Sequence, residues 1–183
     1  MHQLEEAPVG HWTRPGPLRV LHVGCGIAPL PEWLQGHEET RLDLNPEHEA
    51  DVVADMTTMG DIGTYDAIYC SHALEHLSAS DAARALTEFH RVLNPGGYAA
   101  IFVPDLEGVH PTEDILYVSP AGPVSGLDLI YGFHSFIGKF PHMQHRTGFI
   151  RETLDAALQG AGFTRVIVNR ISHYNLMGVG IKG

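Results

Sequence analysis

Leu18-Arg19-Val20-Leu21-His22-Val23 runs without a break into Gly24-Cys25-Gly26. A short apolar run of that kind reads as a buried strand, and the glycines let the backbone turn sharply at its end. A strand buried on both faces needs a sheet to sit in, and the chain supplies one. Thr40-Arg41-Leu42-Asp43-Leu44, closed by Asn45-Pro46, is a second strand; Asp51-Val52-Val53-Ala54-Asp55 is a third. Tyr65-Asp66-Ala67-Ile68-Tyr69-Cys70 is a fourth, and Tyr98-Ala99-Ala100-Ile101-Phe102-Val103, ended by Pro104-Asp105, is a fifth.

Helical patterns fall between and after these runs. Ser78 with Asp81 makes a capping signature, and Ala82, Ala85, Leu86, Phe89 and Leu93 follow at helical spacing until Asn94-Pro95-Gly96-Gly97 stops them. A second helix is expected over residues 150–160, with Leu154, Ala157, Leu158 and Ala161 on one face and Gly160 and Gly162 at its end. Residues 27–36, "IAPLPEWLQG", leave room for only about two helical turns. Strands alternating with helices predict an α/β fold with a doubly wound, mostly parallel, seven-stranded sheet. The last two strands, residues 163–171 and 174–181, are joined too tightly at Ser172-His173 for a crossover. They are expected to form an antiparallel C-terminal hairpin at one edge.

The 183 residues suffice for one domain with a real core, expected over 1–183. Residues 1–17 read as a lead-in or lid, and 106–147, rich in Gly, Pro, His and aromatics, as a substrate-side insertion. No apolar run approaches the roughly 18 residues of a membrane span, and the N-terminus lacks a signal-peptide pattern, so a cytoplasmic location is expected. The formal net charge of −11 disfavours nucleic acid, whose phosphates it would repel. Two cysteines, Cys25 and Cys70, make neither a disulfide framework nor a four-ligand zinc site.

His72-Ala73-Leu74-Glu75-His76 fits H-x-x-E-H, the inverted zinc-protease string. That chemistry needs both histidines on one helical turn. Here the capping signature starts the helix near Ser78, leaving His72 at a strand end and His76 in the connecting turn. Glu75 and His76 are then either braces of the turn or part of a site at the carboxyl end of the strand, where open α/β sheets bind ligands.

Asp43 ends the second strand, 19 residues after Gly24. An acid at that spacing can accept hydrogen bonds from two ribose hydroxyls. A dinucleotide site calls for a third glycine where this chain has Pro29. A cofactor with a ribose and no phosphates, such as S-adenosylmethionine, makes no such demand. Asp43 could instead only cap the turn before Pro46, and Asp55 a short helix over 57–62.

At this point the chain resembles a known family. "VLHVGCG", "RLDLNP", "DVVADM", "YDAIYCSHALEHL" and "RVLNPGGYAAIFVPD" stand in the order of the class I methyltransferases and span residues 18–105. "HRTGFIRETLDAALQGAGFTRV" is similar to the last helix and strand of the same group. The compact segment before Asp43 looks like a bacterial-type subgroup, some of whose members are associated with surface-glycan or small-molecule pathways. The resemblance implies S-adenosylmethionine as cofactor and S-adenosylhomocysteine as product. Gly24, Cys25 and Gly26 would wrap its aminoacyl part, Asp43 would hold the ribose and Leu44 flank the base. Asp55 would accept from the adenine amino group, Met56 would offer its amide, and Ser71 and His72 would lie beneath the cofactor. Glu75-His76 is then a common turn signature of such enzymes. Pro29 and the short first helix depart from the pattern.

Methyl transfer to a hydroxyl benefits from a base, and histidine suits that task. The candidates are His72, Asp105, His110, His134, His142 and His145. His145, with Arg146 beside it, is the first choice for a base or substrate contact, and with His72 and Asp105 completes the catalytic expectation. His142 and His145 could also share a metal with Asp105, although no metal is expected. The insertion's Tyr131, Phe136 and Phe140 suggest a lid over an aromatic or sugar-like substrate, or equally a homodimer contact. The expected acceptor is a hydroxyl or amine of a small molecule or saccharide. A non-catalytic cofactor-binding partner module and an NAD-dependent oxidoreductase are the alternatives, the latter disfavoured by Pro29.

Overall fold

The computed structural model describes residues 16–172 and 174–183. Most of the expected lead-in, and His173 of the closing turn, lie outside those residues. Five strands lie parallel: β1 (Arg19–Val23), β2 (Glu38–Asp43), β3 (Val52–Val53), β4 (Tyr65–Ser71) and β5 (Leu93–Pro104). Between β4 and β5 runs α1 (Ala79–Val92). The insertion follows, as a hairpin of β6 (Ile115–Ser119) and β7 (Gly122–Ser125), then α2 (Gly126–Tyr131) and α3 (His134–Ile137). Helix α4 (Arg151–Gly160) leads into β8 (Arg165–Ser172) and β9 (Asn175–Ile181). The seven-stranded sheet has the order β3-β2-β1-β4-β5-β9-β8. The last two strands form the expected antiparallel hairpin, with β9 against β5 and β8 at the edge.

Alternation along β1 divides the core. Leu21 and Val23 face α1 and α4, packing with Leu86, Phe89, Leu154 and Leu158. Val20 faces the opposite side with Leu30, Leu34 and Phe102. On that second side the chain between β1 and β2 forms a single 3-10 turn, Glu32–Leu34, rather than the two helical turns the length permits. Pro29 and Pro31 explain the difference, since each removes a backbone donor and holds the residue before it extended. The expected third strand shrinks to Val52–Val53, and no helix forms over 57–62.

Asn94-Pro95-Gly96-Gly97 ends α1 as expected, but as part of β5 rather than as a loop. Leu93 pairs with Tyr65, the register then shifts, and Tyr98 pairs with Ala67. Lys182 fixes this segment with its backbone: Gly96 N–H donates to its carbonyl (2.8 Å), and its own N–H donates to Gly97 (2.9 Å). The Lys182 ammonium reaches the carbonyls of His90 and Leu93, each at 2.8 Å, and so places a cation at the C-terminus of α1. Lys182→Met keeps the aliphatic stem and removes that cation. It should cost about 1–2 kcal/mol in urea unfolding. An unchanged midpoint would show that water replaces the ammonium without loss. Among the described residues no helix is long and apolar enough to cross a membrane.

Candidate functional site

The strand order reverses around β1, which has β2 on one side and β4 on the other. In an open parallel sheet the crevice at such a point lies beyond the carboxyl ends of the strands. Register brings those ends level: Val23 pairs with both Leu42 and Cys70, and Ser71 with Phe102. Gly24, Asp43 and Ser71 are therefore neighbours in space.

The turn after β1 is built on Gly24 (φ +63°) and Gly26 (φ +48°), both in the left-handed region that a side chain resists. A Cβ on Gly24 would stand 2.6 Å from the Cβ of Ala73, so the β1 and β4 turns meet there without room for a methyl. A Cβ on Gly26 would meet nothing within 4 Å, which leaves open space above the turn. Asp43 closes it from the β2 side. Its Oδ2 accepts from Gly26 N–H (2.8 Å) and its Oδ1 from Asn45 N–H (2.9 Å), with His48 Nδ1 at 3.1 Å from Oδ1. Burial pushes the Asp43 carboxyl upward, but these donors outweigh it and hold the group below its ordinary pKa.

Arg41, which sequence reasoning did not single out, clamps the same turn. Its guanidinium donates to the carbonyls of Gly26 (2.7 Å) and Ala28 (2.9 Å). Arg41 stands opposite His22 in the β1–β2 pairing. Cys25 is buried, and burial raises its thiol pKa, so it offers backbone and no thiolate. Leu44 is 68% exposed beside the turn, as is Ile27 at 89%, and both present apolar surface there. Asp55 lies exposed after β3; its Oδ1 accepts from the Thr57 N–H and hydroxyl, capping a turn rather than a helix. The Met56 side chain approaches Gly24. The glycine turn, Asp43 and Met56 thus lie together beyond the ends of β1 and β2, where no α-helix N-terminus stands to receive a pyrophosphate.

Beyond β4 the string His72–His76 does not form one helical turn. His72 sits in the left-handed region (φ +51°), held by its N–H on the Phe102 carbonyl (2.9 Å). A non-glycine residue held there costs strain, and such residues cluster at functional sites. Leu74–His76 is a 3-10 turn that leads to Ser78, the N-cap of α1. Glu75 is 1% exposed, and its Oε1 lies 3.3 Å from His72 Nδ1. Burial pushes Glu75 upward, but His72, His76 and His145 around it prevail and its pKa is lowered. Loss of water works against protonation of His72, yet the Glu75 hydrogen bond wins and raises its pKa. The His72 side chain is half exposed.

The insertion returns to this turn. Arg146 and Thr147 donate their N–H groups to the Glu75 carbonyl (2.8 and 3.2 Å). His145 packs its ring against His76, with centroids 5.2 Å apart, and its Nδ1 donates to the Leu129 carbonyl (2.9 Å). Burial lowers the His145 pKa, partly opposed by Glu75. His72 and His145 therefore meet around Glu75, which the sequence reading left as a turn signature.

The other candidates are not brought in. Asp105 is fully buried, with Oδ2 on Arg170 Nε (2.5 Å) and Oδ1 accepting from Glu107 N–H (3.0 Å), so its carboxylate serves the β5–β8 packing and joins neither His142 nor His145. His134 lies 3.5 Å from Asp128, His142 packs on Phe140, and His110 is exposed. Arg170→Ala would leave Asp105 buried without its cation. Because Arg170 is itself 44% exposed, the expected loss is moderate, about 1–3 kcal/mol in denaturant unfolding. No measurable loss would return Asp105 to the list of free carboxylates.

Residues 21–101, from within β1 to within β5, match a family model described as a methyltransferase domain. No curated protein matches the chain by sequence. Solved structures of similar fold include 1,6-didemethyltoxoflavin-N1-methyltransferase of Burkholderia thailandensis with bound 1,6-didemethyltoxoflavin and S-adenosylhomocysteine. That match has 19% identity and a TM-score of 0.61, over 91% of this chain and 71% of that one. A Pyrococcus horikoshii protein matches at 16% identity and a TM-score of 0.65, over 92% and 83%. The N-methyltransferase NodS of Bradyrhizobium japonicum with S-adenosylhomocysteine matches at 14% and 0.57, over 91% and 79%.

Proposed function

We propose that the chain is a class I S-adenosylmethionine-dependent methyltransferase and that it methylates a hydroxyl of a small or saccharide-type acceptor, a reading supported by the methyltransferase-domain match over residues 21–101. The observation that carries the choice of a hydroxyl is the His72–Glu75 dyad at the carboxyl end of β4. An amine acceptor arrives with a lone pair, whereas a hydroxyl must lose a proton as it attacks, and that step rewards a base. An amine is the second reading, favoured by the two similar folds whose names specify N-methylation.

Bound S-adenosylmethionine supplies a methyl group on a sulfonium, a leaving group that needs no acid from the protein. Asp43 would hold the ribose, Leu44 and Ile27 the base, with Asp55 and the Met56 amide at its edge. Gly24 to Gly26 would lie along the aminoacyl part, above Ser71. The chain's own contribution is then alignment, exclusion of water and one proton transfer. Glu75, buried and ionised, fixes the His72 ring through Nδ1 and leaves Nε2 to take the acceptor's proton, the arrangement of base and orienting acid seen in triads. A raised pKa makes neutral His72 the stronger proton acceptor. Residues 126–147, with Tyr131, Phe136 and Phe140 partly exposed, would cover an acceptor ring and shed water around it. The acidic chain favours neutral acceptors over phosphorylated ones.

The test is turnover across matched acceptors. Purified protein with S-adenosylmethionine should release S-adenosylhomocysteine with a neutral glycoside or phenol as acceptor, and more slowly with the amine of the same skeleton. Faster turnover on the amine of each pair would overturn the hydroxyl assignment.

A further inference from the structure

We propose that Glu75, His76 and His145 bind a divalent transition-metal ion, with zinc the best match to the donors. Each of the three offers a donor atom within 4.8 Å of the other two. Glu75 supplies the independent sign of a missing ligand. One oxygen faces His72, while the other, Oε2, is buried with no hydrogen-bond partner. An unpaired carboxylate oxygen out of water is costly, and native proteins rarely leave one without a proton, a water or an ion.

The two histidines are set up to answer it. His76 Nδ1 lies 3.3 Å from the Gln144 carbonyl and His145 Nδ1 2.9 Å from the Leu129 carbonyl. A carbonyl only accepts, so each Nδ1 carries the hydrogen, and in the neutral ring Nε2 keeps its lone pair. A ligating histidine is characteristically oriented by just such a bond from its other nitrogen. Two imidazoles and one carboxylate, with a fourth position free, form the donor set of a zinc site open to an exchangeable ligand. Bonds of about 2.1 Å would bring the donors to roughly 3.4 Å apart, so the cluster must tighten by about 1 Å or a little more. The half-buried histidine rings can supply that, since one comes from the β4–α1 turn and the other from the end of the insertion. The N–H groups of Arg146 and Thr147 on the Glu75 carbonyl already hold the two segments in register.

This revises the expectation of no metal, and also the notion that His142, His145 and Asp105 might share one. Of those three only His145 takes part; its partners come instead from the H-x-x-E-H string, folded as a 3-10 turn. Use of the fourth position by an acceptor oxygen rests on the function proposed above, whereas binding of the ion does not.

The test is a zinc titration of the metal-free full chain against a chromogenic chelator. One zinc per chain is expected with micromolar or tighter affinity. His76→Ala and His145→Ala should each weaken it by about tenfold or more, while His142→Ala, outside the cluster, leaves it unchanged. Cobalt(II) in the wild-type chain should give the intense visible absorption of a four-coordinate ion. Calorimetry with S-adenosylhomocysteine on the same variants should show the cofactor pocket intact, which separates loss of the metal from failure of the methyltransferase reading. The proposal is overturned if no zinc binds, if binding survives both substitutions and so belongs to other histidines, or if cobalt gives only a weak six-coordinate spectrum.

Discussion

Asp43→Ala should weaken binding of S-adenosylmethionine by about 100-fold or more while the sheet stays folded. Each hydrogen bond to a charged group contributes about 1.5–3 kcal/mol, two ribose hydroxyls offer two of them, and 1.4 kcal/mol is tenfold in affinity. A second effect adds to the first, because Asp43 also receives the N–H groups of Gly26 and Asn45 and so shapes the glycine turn. Asp43→Asn keeps an acceptor oxygen without the charge and should fall between. Calorimetry measures both, with circular dichroism to confirm folding; affinities within threefold of the wild type would remove Asp43 from the cofactor site. The carboxylate also carries a pH signature. Its folded pKa is depressed, so its contribution to stability is complete above the unfolded value of about 3.9 and disappears as pH falls through the folded value. Wild type and Asp43→Asn should therefore differ in stability near neutrality and converge in acid below about pH 4. A gap that persisted in strong acid would mean the substitution acts through packing.

His72→Asn should lower kcat by about 10²–10⁴-fold with a hydroxyl acceptor and leave cofactor affinity nearly unchanged. Asparagine is chosen because it tolerates the left-handed conformation of this residue, so the turn after β4 survives while the base is lost. Single-turnover kinetics at saturating cofactor reads the chemical step directly. An unaltered rate would contradict His72 as the proton acceptor and would favour an amine, whose lone pair needs no such help. Glu75 acts on the same step through His72, and its own substitution would also expose a buried hole, so it is the less clean probe.

The parallel sheet and the glycine turn after β1 were legible in the sequence because both rest on local signals. Strand runs ending in glycine or aspartate set β1, β2 and β4, and Ser78 and Asp81 set the start of α1, where Ser78 accepts from the Asp81 N–H as its capping role requires. The acceptor side was less legible, since it joins residues about 70 positions apart. The string His72–His76 could be read as a failed zinc motif, but nothing near it indicated that His145 would arrive from the insertion. For the same reason the buried pair of Asp105 with Arg170, 65 positions apart, was invisible, and Asp105 looked like a free acid at a strand end. Arg41 was missed because a cation in a strand as polar as Glu38–Asp43 gives no hint that its fork will close on the carbonyls of the neighbouring turn. The long insertion hid its hairpin and short helices because none is long enough to set up a period.

The most direct test of the central claim is calorimetric titration of the purified protein with S-adenosylmethionine and S-adenosylhomocysteine, with NAD as the control. Micromolar binding of both sulfur nucleotides and none of NAD is the predicted result. Binding of NAD in their place would contradict the assignment of the Gly24–Asp43 opening and return the chain to the oxidoreductases.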